Sequence, residues 1–495
     1  MLLKNYNLEA KHDALSYQRE ALESIRNLEY CAIFHEQGLG KTKISIDLFL
    51  SWLTEKSVDR VLVVTKKGLL NNWKKEVSIH THINPVALSE NSFKSYRSVR
   101  SNAILFLTHY ELFKTDLELI QLLTKNKNVA IILDEAHKIK NPKSALTKAF
   151  FEAINLFKRR VILTGTPIAN RPYDIWSQIY FLDTGKSLGE NFNVFKSKFD
   201  FPTINDPESM NESEYQKKDV FEHNLKNLYG KIDDFCIRET KKSSGLKLPR
   251  KEYIVLNPEW ETTQYGMYQQ VKEEMRLSIE KDGLLVDDIS EDLLKRLLRL
   301  VQIASNPSIL DESYHNTPGK AKIVDNLVNE IRNKGEKVII WSSFTSNVDW
   351  LTKRYRNYNA VKIHGKMSMH NRNNSVDKFI QDKDVGVLIA TPAAAKEGLT
   401  LTVANHVVFY DRSFSLDDYL QSQDRIHRIS QVKTCYIYNI IMANSIDEWV
   451  DSLIQAKSAA ARLAQGDITH SEYVDLAKYD NKKMLGEILS NHKEN

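Results

Sequence analysis

Two α/β lobes, each built on a parallel sheet and carrying helical insertions, with a C-terminal helical extension, are predicted by three features of this 495-residue chain. Short β-branched apolar runs, bounded by polar or glycine-bearing segments, read as buried parallel strands. They alternate with helical stretches, the signature of βαβ units. The alternation runs twice, on either side of a stretch of different texture, and a chain this long suits two or three domains.

The first set of strands is expected at Tyr30–Phe34, Arg60–Thr65, Ala103–Leu107, Val129–Leu133 and Arg160–Leu163. The second is expected at Lys337–Trp341, Val361–Ile363, Val385–Ala390, His406–Tyr410 and Thr434–Ile440. Residues 185–250 are polar and aromatic with helical patches, and Leu248-Pro249 offers a break. Residues 258–310 read as helical, most clearly in EDLLKRLLRLVQIA, where leucines recur at helical spacing. The expected division is a first lobe over 1–249 with a helical insertion at about 185–240, a second over 250–465 with an insertion at about 258–312, and a charged, helical or loosely held tail over 466–495.

Composition narrows the class. Hydrophobic residues at 42% and charged residues at 27% are the balance of a globular protein with large cores. A net charge of +5 is compatible with nucleic acid without pointing to it. Cys31, Cys236 and Cys435 lie far apart with no CxxC pair, which argues against a zinc module or a disulfide framework. The N-terminal stretch MLLKNYNLEAKHDAL lacks the apolar core of a signal peptide. No apolar run of about 18 residues reads as a membrane span.

The chemistry concentrates in three segments. Gly38-Leu39-Gly40-Lys41-Thr42 follows a strand and opens the helix Thr42–Leu53, the setting a phosphate loop requires. Glycines let backbone N–H groups turn toward phosphate oxygens, and the helix N-terminus adds its positive end. Lys41 is expected to reach the β/γ-phosphates and the Thr42 hydroxyl to ligate Mg²⁺. The usual pattern has glycine at position 35; this chain has His35. Asp134-Glu135-Ala136-His137 ends the run Val129–Leu133, which places two carboxylates at the carboxyl edge of a parallel sheet, where ligands bind. Asp134 is the expected Mg²⁺ ligand, and Glu135 the group that orients and deprotonates the attacking water. In QSQDRIHR, Arg425 and Arg428 are three apart, so on a helix they share a face and can approach one γ-phosphate. Their distance in sequence from Lys41 implies delivery from the other lobe on closure.

With these segments in order, the chain resembles the Swi/Snf-like DNA translocases of helicase superfamily two, from about residue 15 to 455. Leu15-Ser16-Tyr17-Gln18 resembles the adenine-reading Q motif, with Gln18 as the base-reading amide. HEQGLGKT resembles motif I, which in the family usually begins Asp-Glu-Met. VLVVTKKGLLNNW resembles motif Ia, with Thr65 where proline is common. Thr108-His109-Tyr110-Glu111 resembles motif Ib, DEAHKIKN motif II, and Leu163-Thr164-Gly165-Thr166-Pro167 motif III, which couples the ATP site to nucleic acid. VIIWSSFTSNVDWL resembles motif IV, IHGKMSMHNR the adjoining segment, ATPAAAKEGLTLTVANHVVFYD motif V, and QSQDRIHRISQ motif VI, with Ser430 replacing the usual glycine. AAAKEGLTLT looks closer to the annealing-helicase branch than to nucleosome remodelers.

The resemblance implies two RecA-like lobes that use ATP and Mg²⁺. It implies an ATP site of Gln18, Gly38, Leu39, Gly40, Lys41 and Thr42, and coupling through Thr164, Gly165, Thr166 and Gln421. It further implies backbone contacts to DNA, double-stranded or branched, from Lys66, Lys67, Thr108, Ser343, Thr345, Lys366, Thr391 and Thr400. The expected activity is a DNA-dependent ATPase that translocates on or remodels DNA, with a protein partner to recruit it and no membrane association. Two alternatives stay open: a strand-separating DNA or RNA helicase, for which no wedge hairpin is evident, and an ATP-gated scaffold subunit of a repair or defence assembly. The Lys-, Asn- and Ile-rich composition suits an AT-rich bacterial or phage genome and a cytoplasmic location; in a eukaryote the expectation is nuclear.

Overall fold

The computed structural model describes residues 6–89, 92–168, 170–199, 212–282, 291–394 and 399–476. The chain forms two compact units. The first comprises Met1–Phe199, Asn224–Lys247 and Ala464–Gly466; the second comprises Asp200–His223, Leu248–Leu463 and Asp467–Asn495.

The first unit holds a sheet of β1 (Tyr30–Ile33), β2 (Arg60–Thr65), β3 (Val86–Ala87), β4 (Leu105–His109), β5 (Val129–Asp134), β6 (Arg159–Leu163) and β7 (Cys236–Ile237). Their order is β3-β4-β2-β5-β6-β1-β7, and every neighbouring pair is parallel. All six residues of β2 are buried, as expected of a strand covered on both faces. The helix Lys41–Thr54 lays Ile44, Leu48, Phe49 and Trp52 on one face of the sheet, in a core shared with Val61, Val63, Trp73 and Leu107.

The second unit holds β8 (Lys251–Leu256), β9 (Val338–Trp341), β10 (Val361–Ile363), β11 (Val387–Ala390), β12 (His406–Phe409) and β13 (Cys435–Ile440). The order is β10-β11-β9-β12-β13-β8, again parallel throughout. Ile339, Leu388, Val407 and Ile437 point into the core on one face; Val338, Ile340, Val387 and Val408 point into the core on the other. The two-parallel-sheet α/β architecture agrees with the expectation.

Helices Phe192–Ser197 and Glu212–Lys226 fall in the first expected insertion, Thr262–Asp282 and Glu291–Ser305 in the second, and Ile446–Ala464 and His470–Leu476 at the C-terminal end. The end of the tail, 477–495, and residues 395–398 of the motif V segment lie outside the described residues. Among the described residues no helix is long and apolar enough to cross a membrane.

Parallel strands bring their carboxyl ends to one edge. In the first sheet this edge gathers the loop after β1, the Thr65–Lys67 turn after β2, Asp134–Glu135 after β5 and Thr164–Thr166 after β6.

Candidate active site

The loop after β1 turns on two glycines with positive φ, Gly38 at 86° and Gly40 at 74°. Gly40 caps the helix Lys41–Thr54 in the left-handed conformation that favours glycine. A Cβ there would also meet Gln18 Nε2 and force that amide to shift. Gln18 is buried and fixed: Leu15 N donates to its Oε1 at 3.0 Å, and its Nε2 donates to Leu39 O at 3.4 Å. The Tyr17 hydroxyl donates to the same carbonyl at 3.1 Å. Lys41 Nζ donates to the carbonyls of His35 at 2.9 Å and Glu36 at 3.2 Å. Gln18, Leu39, Gly40 and Lys41 thus form one contiguous group.

His35 stands where the usual pattern has glycine. Its φ is not positive, so the position does not demand glycine. The ring is buried 6.3 Å from the Tyr17 ring. Burial, with the Lys41 charge second, pushes its pKa down to about 3, so the imidazole is neutral near pH 7. What it offers the loop is its carbonyl.

Residues just beyond β7 buttress the loop. Glu36 N donates to Glu239 O at 2.9 Å, Lys241 N donates to Glu36 Oε2 at 2.6 Å, and Arg238 Nη1 donates to Phe34 O at 2.9 Å. Sequence reasoning missed this segment because its partners lie about 200 residues away, with no motif to mark it.

Asp134 is the last residue of β5. Its Oδ2 accepts from Thr65 Oγ1 at 2.9 Å and from Trp73 Nε1 at 2.8 Å, and its carbonyl accepts from the Tyr110 hydroxyl at 2.8 Å. Thr65, singled out only as a departure from proline, is therefore a donor to this carboxylate. Burial and the adjacent Glu135 charge raise the Asp134 carboxyl, against the pull of those donors and Lys41. Glu135 sits at φ 58°, and its Oε2 lies 3.2 Å from His137 Nδ1. Burial alone would raise its carboxyl; Lys66, His137 and Lys41 outweigh that and hold it well below the usual carboxylate range.

The segment after β6 touches the phosphate loop. Thr164 N donates to Ile33 O at 3.2 Å, and Thr166 N donates to Thr164 Oγ1 at 3.2 Å. A Cβ on Gly165 would meet Gln37 at 3.0 Å. Lys66 is half-buried and Lys67 exposed, where a short turn leaves β2. Thr108 departs from the expected contact: it is fully buried inside β4, so its hydroxyl faces no surface that a phosphate could reach.

In the second unit, Ser343, Lys366 and Thr391 follow the adjacent strands β9, β10 and β11 at one edge, and Thr345 starts the helix Thr345–Arg354. Asp411, which the sequence did not single out, organises this edge. It accepts from Ser342 Oγ at 2.6 Å, Ser343 N at 2.6 Å and Ser305 Oγ at 2.8 Å.

The arginines require a correction. The helix Leu416–Gln423 ends before them, so Arg425 and Arg428 do not share a helical face. Asp424 caps the helix, and Ile426, two residues further on, is buried in the core. Arg425 is buried, with Nη1 donating to Leu399 O at 3.4 Å. Arg428 donates from Nε to Asp424 O at 3.1 Å and from Nη1 to Thr400 Oγ1 at 2.7 Å. Asp424 pairs with Lys251 at 2.8 Å, and His427 Nε2 lies 2.9 Å from Pro249 O, so this segment sits where β8 begins. Thr400 accordingly lies beside Arg428. Gln421 is buried and donates to Asp417 Oδ1 at 2.7 Å.

Two family domains match the chain in sequence. Residues 17–309, more than half of the chain, match the SNF2-related domain, and residues 319–430 match the helicase conserved C-terminal domain. The chain is 29% identical over 449 residues to an uncharacterized ATP-dependent helicase of Mycoplasma genitalium, covering 88% of this chain and 40% of that protein. It is 26% identical over 463 residues to the human DNA repair and recombination protein RAD54-like, covering 84% and 60%. The solved Sulfolobus solfataricus SWI2/SNF2 ATPase core in complex with dsDNA aligns over 98% of each chain at 25% identity, with a TM-score of 0.40. The chain spans about two fifths of the length of several of the relatives it matches. With both domains matched in order along it, this chain belongs to the SNF2-related domain family.

Proposed function

We propose that the chain is a DNA-dependent ATPase that converts ATP hydrolysis into movement along, or remodelling of, duplex or branched DNA. The observation that carries the reading is the convergence of the Lys41 loop, the Gln18 amide, Asp134 and Glu135 at one sheet edge. The relatives' names, an ATP-dependent helicase and a DNA repair and recombination protein, support it.

In this reading Gln18 reads the base, the amides of Gly38 to Thr42 hold phosphate oxygens, and Lys41 leaves the His35 and Glu36 carbonyls for the β/γ-phosphates. Among the described residues no three His, Cys, Asp or Glu side chains cluster as a metal cage. That suits Mg²⁺, which takes one or two protein ligands and fills the rest with water and phosphate; the Thr42 hydroxyl and Asp134 carboxylate would hold it. When bound, the ion neutralises charge on the β- and γ-oxygens. Glu135, a carboxylate kept well below its usual range, orients a water by accepting from it more readily than it takes its proton. Arg425 and Arg428 neutralise charge on the γ-phosphate during hydrolysis. Thr164, Gly165, Thr166 and Gln421 couple the nucleotide to DNA. Lys66, Lys67, Ser343, Thr345, Lys366 and Thr391 contact the DNA backbone, and a protein partner brings the motor to its substrate.

ATP turnover measured with duplex DNA, single-stranded DNA, forked DNA and RNA tests the reading. Duplex or forked DNA should stimulate most; stimulation by RNA alone, or by no nucleic acid, overturns it. Thr65 gives a second test, as a positioning residue for Asp134. Thr65→Val removes one donor to a charged acceptor, and turnover should fall by about tenfold. Thr65→Ser should restore it; turnover unchanged in Thr65→Val removes Thr65 from this role.

A further inference from the structure

Gln37 stands in the phosphate loop where the family usually has methionine, and its side chain is placed unlike a packing residue's. Its Nε2 is buried and has no hydrogen-bond partner among the described residues. A buried amide left without a partner costs about 1–3 kcal/mol, and such a group calls for a role. Two neighbours say what the role is. On one side, Lys41 Nζ rests on the carbonyls of His35 and Glu36, the two residues before Gln37. The ammonium is thus anchored on the backbone just before Gln37, so the amide belongs to the same phosphate loop as Lys41. On the other side, Gly165 packs directly on it: a Cβ there would lie 3.0 Å from Gln37 Cγ and 3.0 Å from Nε2. Glycine is what lets the segment after β6 come this close, and that segment is itself tied to β1 through Thr164 N and Ile33 O at 3.2 Å.

We propose that Gln37 is a γ-phosphate contact: its Nε2 donates to an oxygen of the terminal phosphate of a nucleoside triphosphate, and its contact with Gly165 passes the presence of that phosphate to Thr164–Thr166. The amide distinguishes triphosphate from diphosphate, because only the former supplies a γ-phosphate oxygen as acceptor. A methionine in its place fills the same space and carries no donor.

This proposal rests on the ATPase reading above, and its test separates the two. Fluorescent ADP and a fluorescent non-hydrolysable ATP analogue are titrated against the full chain and against Gln37→Met. The substitution keeps the side-chain volume and should leave ADP affinity unchanged, while the triphosphate analogue binds about tenfold or more weakly, the loss expected for one hydrogen bond to a charged acceptor. Gly165→Ala crowds Gln37 and should produce the same selective loss. A wild-type chain that discriminates the two nucleotides, with Gln37→Met discriminating equally well, overturns the proposal and leaves the ATPase reading standing. Equal weakening for both nucleotides in Gln37→Met also overturns it, since that marks a general disturbance of the loop. A wild-type chain that binds neither nucleotide overturns both.

Discussion

Glu135→Gln should lower ATP turnover by about 10²–10³-fold while leaving ATP bound, the largest effect expected of any single isosteric change in this chain. The substitution keeps the shape of the side chain and the position of one oxygen. What it removes is the charge that Lys66, His137 and Lys41 hold ionised against the cost of burial. A neutral amide accepts more weakly and presents a donor half the time in the wrong direction, so the attacking water loses its fixed orientation. Binding survives because the triphosphate gains from the change: the positive groups that had been shared with Glu135 become available to phosphate oxygens, and affinity for ATP should stay level or rise. Glu135 also occupies a left-handed backbone conformation at φ 58°. Such conformations cost non-glycine residues about 1–3 kcal/mol and persist where the surroundings enforce them, so Gln, of the same size and branching, is the right replacement and a β-branched residue is not. Phosphate release and equilibrium binding of fluorescent ATP are the two measurements. Turnover within tenfold of the wild type, or loss of binding together with turnover, contradicts the role given to Glu135.

Local chemistry was legible in the sequence, and long-range placement was not. The β-branched runs of β2 and β5 are read correctly to within a residue because both faces of a central strand are buried and no polar residue interrupts them. β8 escapes notice because it is an edge strand whose Glu252, Tyr253 and Val255 are exposed, so KEYIVL does not read as an apolar run. β3 and β7, two residues each, are too short to carry a period. The phosphate loop and the paired carboxylates are legible because a turn, a strand end and their chemistry are all local. That Thr65 and Trp73 both donate to Asp134, or that Asp411 fixes Ser343, depends on which strands become neighbours, which spacing along the chain does not encode. The helical reading of Arg425 and Arg428 fails for a related reason: helical spacing is an argument only while the helix lasts, and this one ends at Gln423.

Arg428→Ala should reduce turnover by about 10³-fold, toward the lower end of what an arginine facing a γ-phosphate contributes, with little change in melting temperature. The two arginines differ as test positions. Arg425 is 3% exposed, and truncating it removes a buried side chain that also bonds Leu399 O; a loss of activity there would be mixed with a loss of fold. Arg428 is only partly buried, and its bonds to Asp424 O and Thr400 Oγ1 leave behind groups that water can satisfy. Thr400→Val should change turnover only a few-fold, because it releases the guanidinium from one partner without deleting it. Arg428→Lys keeps the charge but loses the planar fork that matches two phosphate oxygens at once, so it should recover a minor part of the lost rate. The ordering Thr400→Val, then Arg428→Lys, then Arg428→Ala, at constant melting temperature and unchanged DNA affinity, is what a phosphate-facing arginine requires. An Arg428→Ala chain that turns over ATP within a few-fold of the wild type would show instead that its bond to Thr400 merely ties the segment before β12 to the one before β13.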